Sequence, residues 1–128
     1  MALVDALDYI PKTQAAYTKL LGFFTRLAPA IKASADANSG VWWLVMSQPG
    51  RSGNYFESSG SSMFVYALLK GIRMGYIDKA TYLPTCTKAY DYLTKTFVVK
   101  ESDGTAGWLG TVSVGSLGSN GTYAVSKT

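Results

Sequence analysis

The clearest periodic signal runs over residues 14–35, where Tyr17, Leu20, Leu21, Phe24, Leu27, Ala28 and Ile31 recur at three- and four-residue steps. Lys19, Thr25, Arg26 and Lys32 fill positions between them. The pattern predicts an amphipathic helix with one buried stripe, despite Gly22 and Pro29, each of which disfavours a helix interior. The same spacing returns over 81–97 in Tyr82, Leu83, Cys86, Ala89, Tyr90, Leu93 and Phe97. Pro84 falls in the first turn of that helix, where its missing N–H costs little.

Two further segments lack a polar face. From Met63 to Leu69 the chain is apolar throughout, after the run Ser58-Ser59-Gly60-Ser61-Ser62. A helix that is apolar all round is buried on all sides. The serines are expected to cap its first free N–H groups. Its end is expected between Gly71 and Gly75, with Asp78 capping the next helix. Residues 2–10 carry Ala2, Leu3, Ala6, Leu7 and Ile10 on one side and read as a second buried helix, one without a start signal.

The connections repeat. Asp36-Ala-Asn-Ser-Gly40-Val-Trp42-Trp43-Leu-Val45 follows the first amphipathic helix, and Asp103-Gly104-Thr-Ala-Gly107-Trp108-Leu-Gly-Thr-Val112 follows the second. Each is a polar glycine turn, then tryptophan, then a short β-like run, about 65 residues apart. The unit is buried helix, amphipathic helix, aromatic turn, and two units fill the chain up to the Gly/Ser-rich stretch 115–122. Alternation of all-apolar with one-sided helices predicts inner and outer layers, as in an α/α barrel or toroid. Two hairpins cannot close such a ring, so residues 1–128 are expected to form a single, partial α/α-barrel domain.

Composition sharpens this picture. Of 128 residues, 48% are apolar and 16% charged, which excludes a disordered chain. A chain of this size buries roughly two-thirds of its unfolded surface, enough for one core. No apolar run reaches the ~18 residues of a membrane span, so no membrane partner is expected. The twelve Lys and Arg are scattered singly, without the basic stripe that nucleic acid requires. The low charge fits inner helices that expect neighbours. Met1 leads into Ala2-Leu3-Val4-Asp5 without the basic region of a secretory signal, which leaves localisation open.

Candidate chemistry is sparse. One cysteine, Cys86, and no histidine exclude an intrachain disulfide and the usual zinc ligands. Ser58, Ser59, Ser61 and Ser62 have no histidine to activate them as nucleophiles. No phosphate-binding glycine pattern is present. Asp36, Asp78, Glu101 and Asp103 read as turn or cap residues; Asp5 and Asp8 share the first helix, and Asp91 lies on the outer face of the last. Glu57 precedes the serine run. It is either a carboxylate favoured by the helix dipole or a pocket-lining group, since inner-helix starts surround a barrel's cavity. Trp42, Trp43, Tyr55 and Phe56 gather at the same turn, either as sugar-stacking platforms or as core. Asn120-Gly121-Thr122 matches a glycosylation sequon.

Three strings carry a resemblance: Met1-Ala-Leu-Val-Asp5-Ala-Leu-Asp-Tyr-Ile-Pro11, the Gly40-Val-Trp42-Trp43-Leu-Val turn, and Gly53-Asn-Tyr-Phe-Glu57-Ser-Ser-Gly-Ser-Ser-Met63 continuing to Lys70-Gly71-Ile-Arg-Met-Gly-Tyr76. Running on through Trp108 to the Gly115-Ser-Leu-Gly118 turn, they resemble the C-terminal portion of glycoside hydrolase family 105, the unsaturated rhamnogalacturonyl hydrolases, in residue choices like those of fungal members. The resemblance implies an (α/α)6 barrel of which this chain supplies about two helical hairpins. It implies hydrolysis of the unsaturated uronic sugar left by pectin lyases, in which an aspartate protonates the double bond and water adds, without metal or nucleotide cofactor. The family's catalytic aspartate, its substrate-binding histidine and its Arg-Gly-Asn-Gly-Trp stretch precede the segment that starts here at Met1. No catalytic residue therefore carries over, and the chain alone is expected to be inactive. Trp42, Trp43, Glu57 and Ser58 are the candidate substrate-binding residues. The expected partner is an unsaturated oligosaccharide. The alternative is a non-catalytic remnant that binds sugar or self-associates through inner-helix residues such as Met63, Val65 and Leu68.

Overall fold

In a computed structural model, which describes residues 1–112, the chain is mainly helical. Helices α1 (Ala2–Ala6), α2 (Ala15–Ala33), α3 (Ser58–Arg73) and α4 (Lys79–Thr96) precede strands β1 (Val98–Lys100) and β2 (Ala106–Trp108). The strands pair antiparallel in the register Val98↔Trp108, Val99↔Gly107 and Lys100↔Ala106. The stretch 115–122, the Gly115–Gly118 turn, the sequon at Asn120 and Tyr123–Thr128 lie outside the described residues.

The two amphipathic helices form where their spacing predicts. In α2, Tyr17, Phe24, Ala28 and Ile31 are buried, and Pro29 is accommodated within the helix. Leu27, expected in the buried stripe, is instead 47% exposed beside exposed Phe23. On that flank the Arg26 guanidinium lies over the Phe23 ring, 5.2 Å from its centroid. Helix α4 buries Tyr82, Cys86, Ala89 and Leu93 and begins at Asp78, whose carboxylate accepts from Thr81 N–H, as a capping aspartate should.

The apolar helices depart further from expectation. Helix α1 ends at Ala6 rather than Ile10. Tighter bonds from Asp8 N–H to the Asp5 carbonyl and from Tyr9 N–H to the Ala6 carbonyl close it. Pro11 then disfavours helical backbone at Ile10. Helix α3 starts at Ser58, so the serines lie inside it rather than ahead of it, and Glu57 is the cap. Its burial is also one-sided: Val65, Ala67 and Leu68 are buried, whereas Met63 and Tyr66 are each 44% exposed.

One core joins both hairpins, built from Val4, Phe24, Ile31, Trp42, Val65, Leu68, Cys86 and Leu93 among others. Two glycines permit the close approaches. A Cβ on Gly71 would lie 2.6 Å from the Phe24 ring, so α3 rests directly against that aromatic. Gly40 adopts φ +77°, and a Cβ there would lie 2.8 Å from the Ala89 nitrogen, which lets the α2–α3 loop press onto α4. That loop is knotted by Asp36, whose Oδ1 accepts from Asn38 N–H, Ser39 N–H and the Ser39 hydroxyl. Burial alone would raise the Asp36 carboxyl, but these donors outweigh it and hold the group below its ordinary value.

Helices α1 and α3 are tied by ions. Lys70, 6% exposed, places its ammonium 2.7 Å from Asp5 and 2.5 Å from Asp8, and the Tyr66 hydroxyl donates to Asp5 at 2.7 Å. Each lowers the free energy of the charged partner, so the Asp5 carboxyl is held below its ordinary value, first by Lys70 and then by Tyr66. The Lys70 ammonium is correspondingly raised by its bonds to Asp5 and Asp8.

Candidate functional site at the start of helix α3

The N-terminus of α3 collects the four residues that sequence singled out, and the structure gives each a definite post. Glu57 is 8% exposed. Its Oε1 accepts from Ser59 N–H at 3.2 Å, the Ser59 hydroxyl at 2.8 Å and Val112 N–H at 3.2 Å, while Oε2 accepts from Gly60 N–H at 2.5 Å. The carboxylate thus satisfies first-turn donors that a helix otherwise leaves free, and it meets the positive end of the helix dipole. Through Val112 it also holds the segment that follows β2.

Trp42 is fully enclosed. Its indole N–H donates to the Ile31 carbonyl at 2.8 Å, its backbone N–H donates to Ser61 Oγ at 3.0 Å, and its carbonyl accepts from Glu57 N–H at 3.0 Å. An edge-on contact with Phe64, with centroids 5.2 Å apart, completes its packing. Trp43 is half-buried and pairs with Phe56 through a single antiparallel bridge, with ring centroids 4.2 Å apart. The first aromatic turn therefore holds one bridge rather than a short strand. Trp43 Nε1 faces Asp36 closely enough to help hold its carboxyl down, without forming a hydrogen bond of ordinary geometry. The neighbouring Tyr55 hydroxyl has no hydrogen-bond partner among the described residues, and burial followed by the Glu57 charge pushes it above its ordinary value.

Ser58 is wholly buried. Its N–H donates to the Gly110 carbonyl, and its hydroxyl both accepts from Trp108 Nε1 at 2.9 Å and bonds Thr111 Oγ1 at 3.0 Å. The second glycine–tryptophan turn thereby comes to the same place as the first. In this turn the strand is Ala106–Trp108 itself, and not the residues after the tryptophan. A file of rings, Trp43, Phe56, Tyr92, Phe97 and Trp108, with successive centroids 4.2 to 6.4 Å apart, links the two turns.

Sequence reasoning did not nominate Trp108, Thr111 or Val112 for this site. The signal was present in the repeat, which sets Trp108 in the same place in its unit as Trp42 and Trp43. A separate open groove of about 410 Å³ lies between the last turn of α2 and the first turns of α4, lined by Pro29, Lys32, Tyr82, Pro84 and Lys88. It shares no lining residue with the start of α3. Among the described residues, no group of three or more His, Cys, Asp or Glu side chains is placed to hold a metal ion, and no helix is long and apolar enough to cross a membrane.

The family model of glycosyl hydrolase family 88 matches residues 1–128. The chain belongs to that family. A solved Clostridium acetobutylicum structure of a glycoside hydrolase from family 105 is 34% identical to it, with a TM-score of 0.85, over all of this chain and 37% of that one. A glycosyl hydrolase family 88 structure from Bacteroides vulgatus is 27% identical, with a TM-score of 0.76, over 90% of this chain and 31% of that one. Among curated sequences, Protein Atu3128 of Agrobacterium fabrum is 36% identical over 121 residues, 92% of this chain. The family 88 chain spans about half the length of such relatives, 51% for Atu3128, and about a third of the solved structures. The mainly helical fold is thus a partial α/α barrel, as its alternating helices predict, and the resemblance to family 105 is met by a solved member of that family.

Proposed function

We propose that this chain forms part of the wall of a glycosidase cavity that takes the unsaturated galacturonyl-rhamnose unit left by lyase cleavage of rhamnogalacturonan pectin. In this reading the barrel has six hairpins and this chain supplies about two. The supporting observation is the convergence of both glycine–tryptophan turns on the start of α3, where aromatic rings and hydroxyls gather around a helix N-terminus. That mixture suits a sugar ring, which offers an apolar face and a rim of hydroxyls.

The chemistry is addition of water across a vinyl ether: a carboxylic acid delivers a proton to one carbon of the double bond, and water, losing a proton, delivers hydroxide to the other. The residues at the start of α3 do not supply that acid, because the Glu57 carboxylate is occupied by four donors. Catalysis then requires an aspartate from elsewhere in a complete barrel, and the chain by itself is inactive. The test follows loss of the double-bond absorbance of the unsaturated disaccharide. The 128-residue chain should show no turnover. A chimera carrying it in place of the matching third of the C. acetobutylicum protein should restore turnover. Turnover by the isolated chain, or a folded chimera that binds no unsaturated uronide, overturns the reading.

A second reading has its own support. Phe23 and Leu27 on α2, with Met63 and Tyr66 on α3, are each more than 40% exposed. Exposed apolar side chains favour association, and in this reading the chain is a self-associating, sugar-binding remnant of the barrel. Sedimentation as a clean monomer with a cooperative melt would exclude that reading.

A further inference from the structure

The buried Ser58 hydroxyl has one proton to give and two neighbours. It accepts the Trp108 indole N–H at 2.9 Å, and Thr111 Oγ1 stands 3.0 Å away. A serine hydroxyl accepts through two lone pairs and donates one proton, so either hydroxyl of the Ser58–Thr111 pair can be the donor. Trp108, Ser58 and Thr111 thus form one hydrogen-bonded chain that fixes the indole relative to the threonine.

Trp108 itself is 43% exposed, although its ring packs at one side on Phe97, 6.4 Å between centroids, and its backbone is fixed opposite Val98 in the ribbon. Its indole nitrogen is already engaged and its orientation is set. What it offers solvent is ring surface. Beside it, half-buried Thr111 offers a hydroxyl. Ser58 and Glu57 have no comparable surface to offer, since one is wholly buried and the other 8% exposed.

We propose that Trp108 and Thr111 are the sugar-contacting residues of this site, the indole stacking on a pyranose face and the threonine hydroxyl hydrogen-bonding a ring substituent, while Ser58 and Glu57 are positioning residues that act through them. The assignment rests on the sugar-binding reading above and deepens it: of the four residues that sequence placed against substrate, three, Trp42, Glu57 and Ser58, stand behind the contact surface. Fixing the platform before the ligand arrives spares the ordering cost of a free aromatic side chain.

The experiment is a titration of the ¹⁵N-labelled 128-residue chain with unsaturated galacturonyl-rhamnose, in which the three tryptophans give three separable indole signals. The Trp108 ring signals should shift while its N–H stays protected, and the buried Trp42 should not move. Trp108→Ala should weaken binding by about tenfold, the loss of one aromatic platform, whereas Trp108→Phe should keep most of it. Thr111→Val should weaken binding several-fold and lower the melt modestly, since Ser58 loses a partner, whereas Thr111→Ser, which keeps the hydroxyl, should restore most of the binding. Ser58→Ala should speed exchange of the Trp108 indole N–H and weaken binding together, leaving Trp42 protected, a coupling that a purely structural serine would not produce.

Binding that shifts other residues but not Trp108, or that survives Trp108→Ala, overturns this assignment and leaves the proposed function standing. Absence of any shift overturns it too, and turnover by the chimera then reports on the broader reading separately. Should Trp108→Ala fail to fold, the Thr111→Val and Ser58→Ala results still decide the matter.

Discussion

Removing the Glu57 carboxylate tests the architecture of the site most directly. In Glu57→Ala, Ser59 N–H, Gly60 N–H, Val112 N–H and the Ser59 hydroxyl lose their acceptor at once. Loss of a helix cap costs about 1 kcal/mol, and loss of the favourable dipole contact about 0.5 kcal/mol. The Val112 and Ser59 bonds are charge-assisted and partly buried, so together they add roughly 1.5 kcal/mol after allowing for water that replaces the carboxylate. The expected destabilisation is about 3 kcal/mol, which for a domain of this size lowers Tm by roughly 10 °C. Glu57→Gln keeps one carbonyl oxygen as an acceptor and should lose about half as much. Urea unfolding followed by tryptophan fluorescence reads the free energy, and exchange of the Trp108 indole N–H reads release of the segment at Thr111 and Val112. A loss under about 1 kcal/mol in Glu57→Ala would refute the reasoning, because caps alone reach that value.

Other perturbations probe the packing and the charges. Gly71→Ala places a methyl 2.6 Å from the Phe24 ring; despite the better helix propensity of alanine, it should destabilise by about 1–2 kcal/mol in urea unfolding, and a neutral result would mean that α3 does not lie against Phe24. Burial pushes the Cys86 thiol up to about 11, so a disulfide reagent at about pH 8 should label it only through unfolding; rapid labelling of the native chain would contradict its enclosure. The Asp5 carboxyl, lowered by Lys70 and then Tyr66, contributes stability that is present above its ordinary value of 3.8 and is lost as pH falls through the lower folded value. Unfolding free energies measured below about pH 4 should therefore fall less steeply in Asp5→Asn than in the native chain, and equal slopes would remove Asp5 from the acid response.

Helices α2 and α4 are legible in the sequence because their apolar residues repeat at helical spacing and because Asp78 is an ordinary cap. The start of α3 is misread for a physical reason. Short side chains usually cap helices, so four serines draw attention from Glu57, whose longer chain folds back onto the first turn. Exposure of Leu27, Met63 and Tyr66 is invisible to periodicity, which reports the face a residue occupies and not whether a neighbour covers it. The site is half legible. The first aromatic turn and the helix start are marked by composition, but the arrival of Trp108 and Thr111 depends on a ribbon that brings residues 50 and 53 positions away in sequence back to Ser58.

The ion cluster at Lys70 also bears on the order in which the chain assembles. Its partners Asp5 and Asp8 lie 65 and 62 residues away, whereas α3 and α4 are neighbours joined by a short turn. Contacts between near neighbours close small loops and form early; joining α1 to α3 closes a long one, whose entropy must be overcome first. The lysine therefore acts as a late clasp that brings together two hairpins already formed. Substitution of Asp5 should accelerate unfolding and leave the refolding rate nearly unchanged in a urea chevron, since contacts absent from the transition state act on the unfolding limb; a matching slowdown in refolding would show that the clasp closes first.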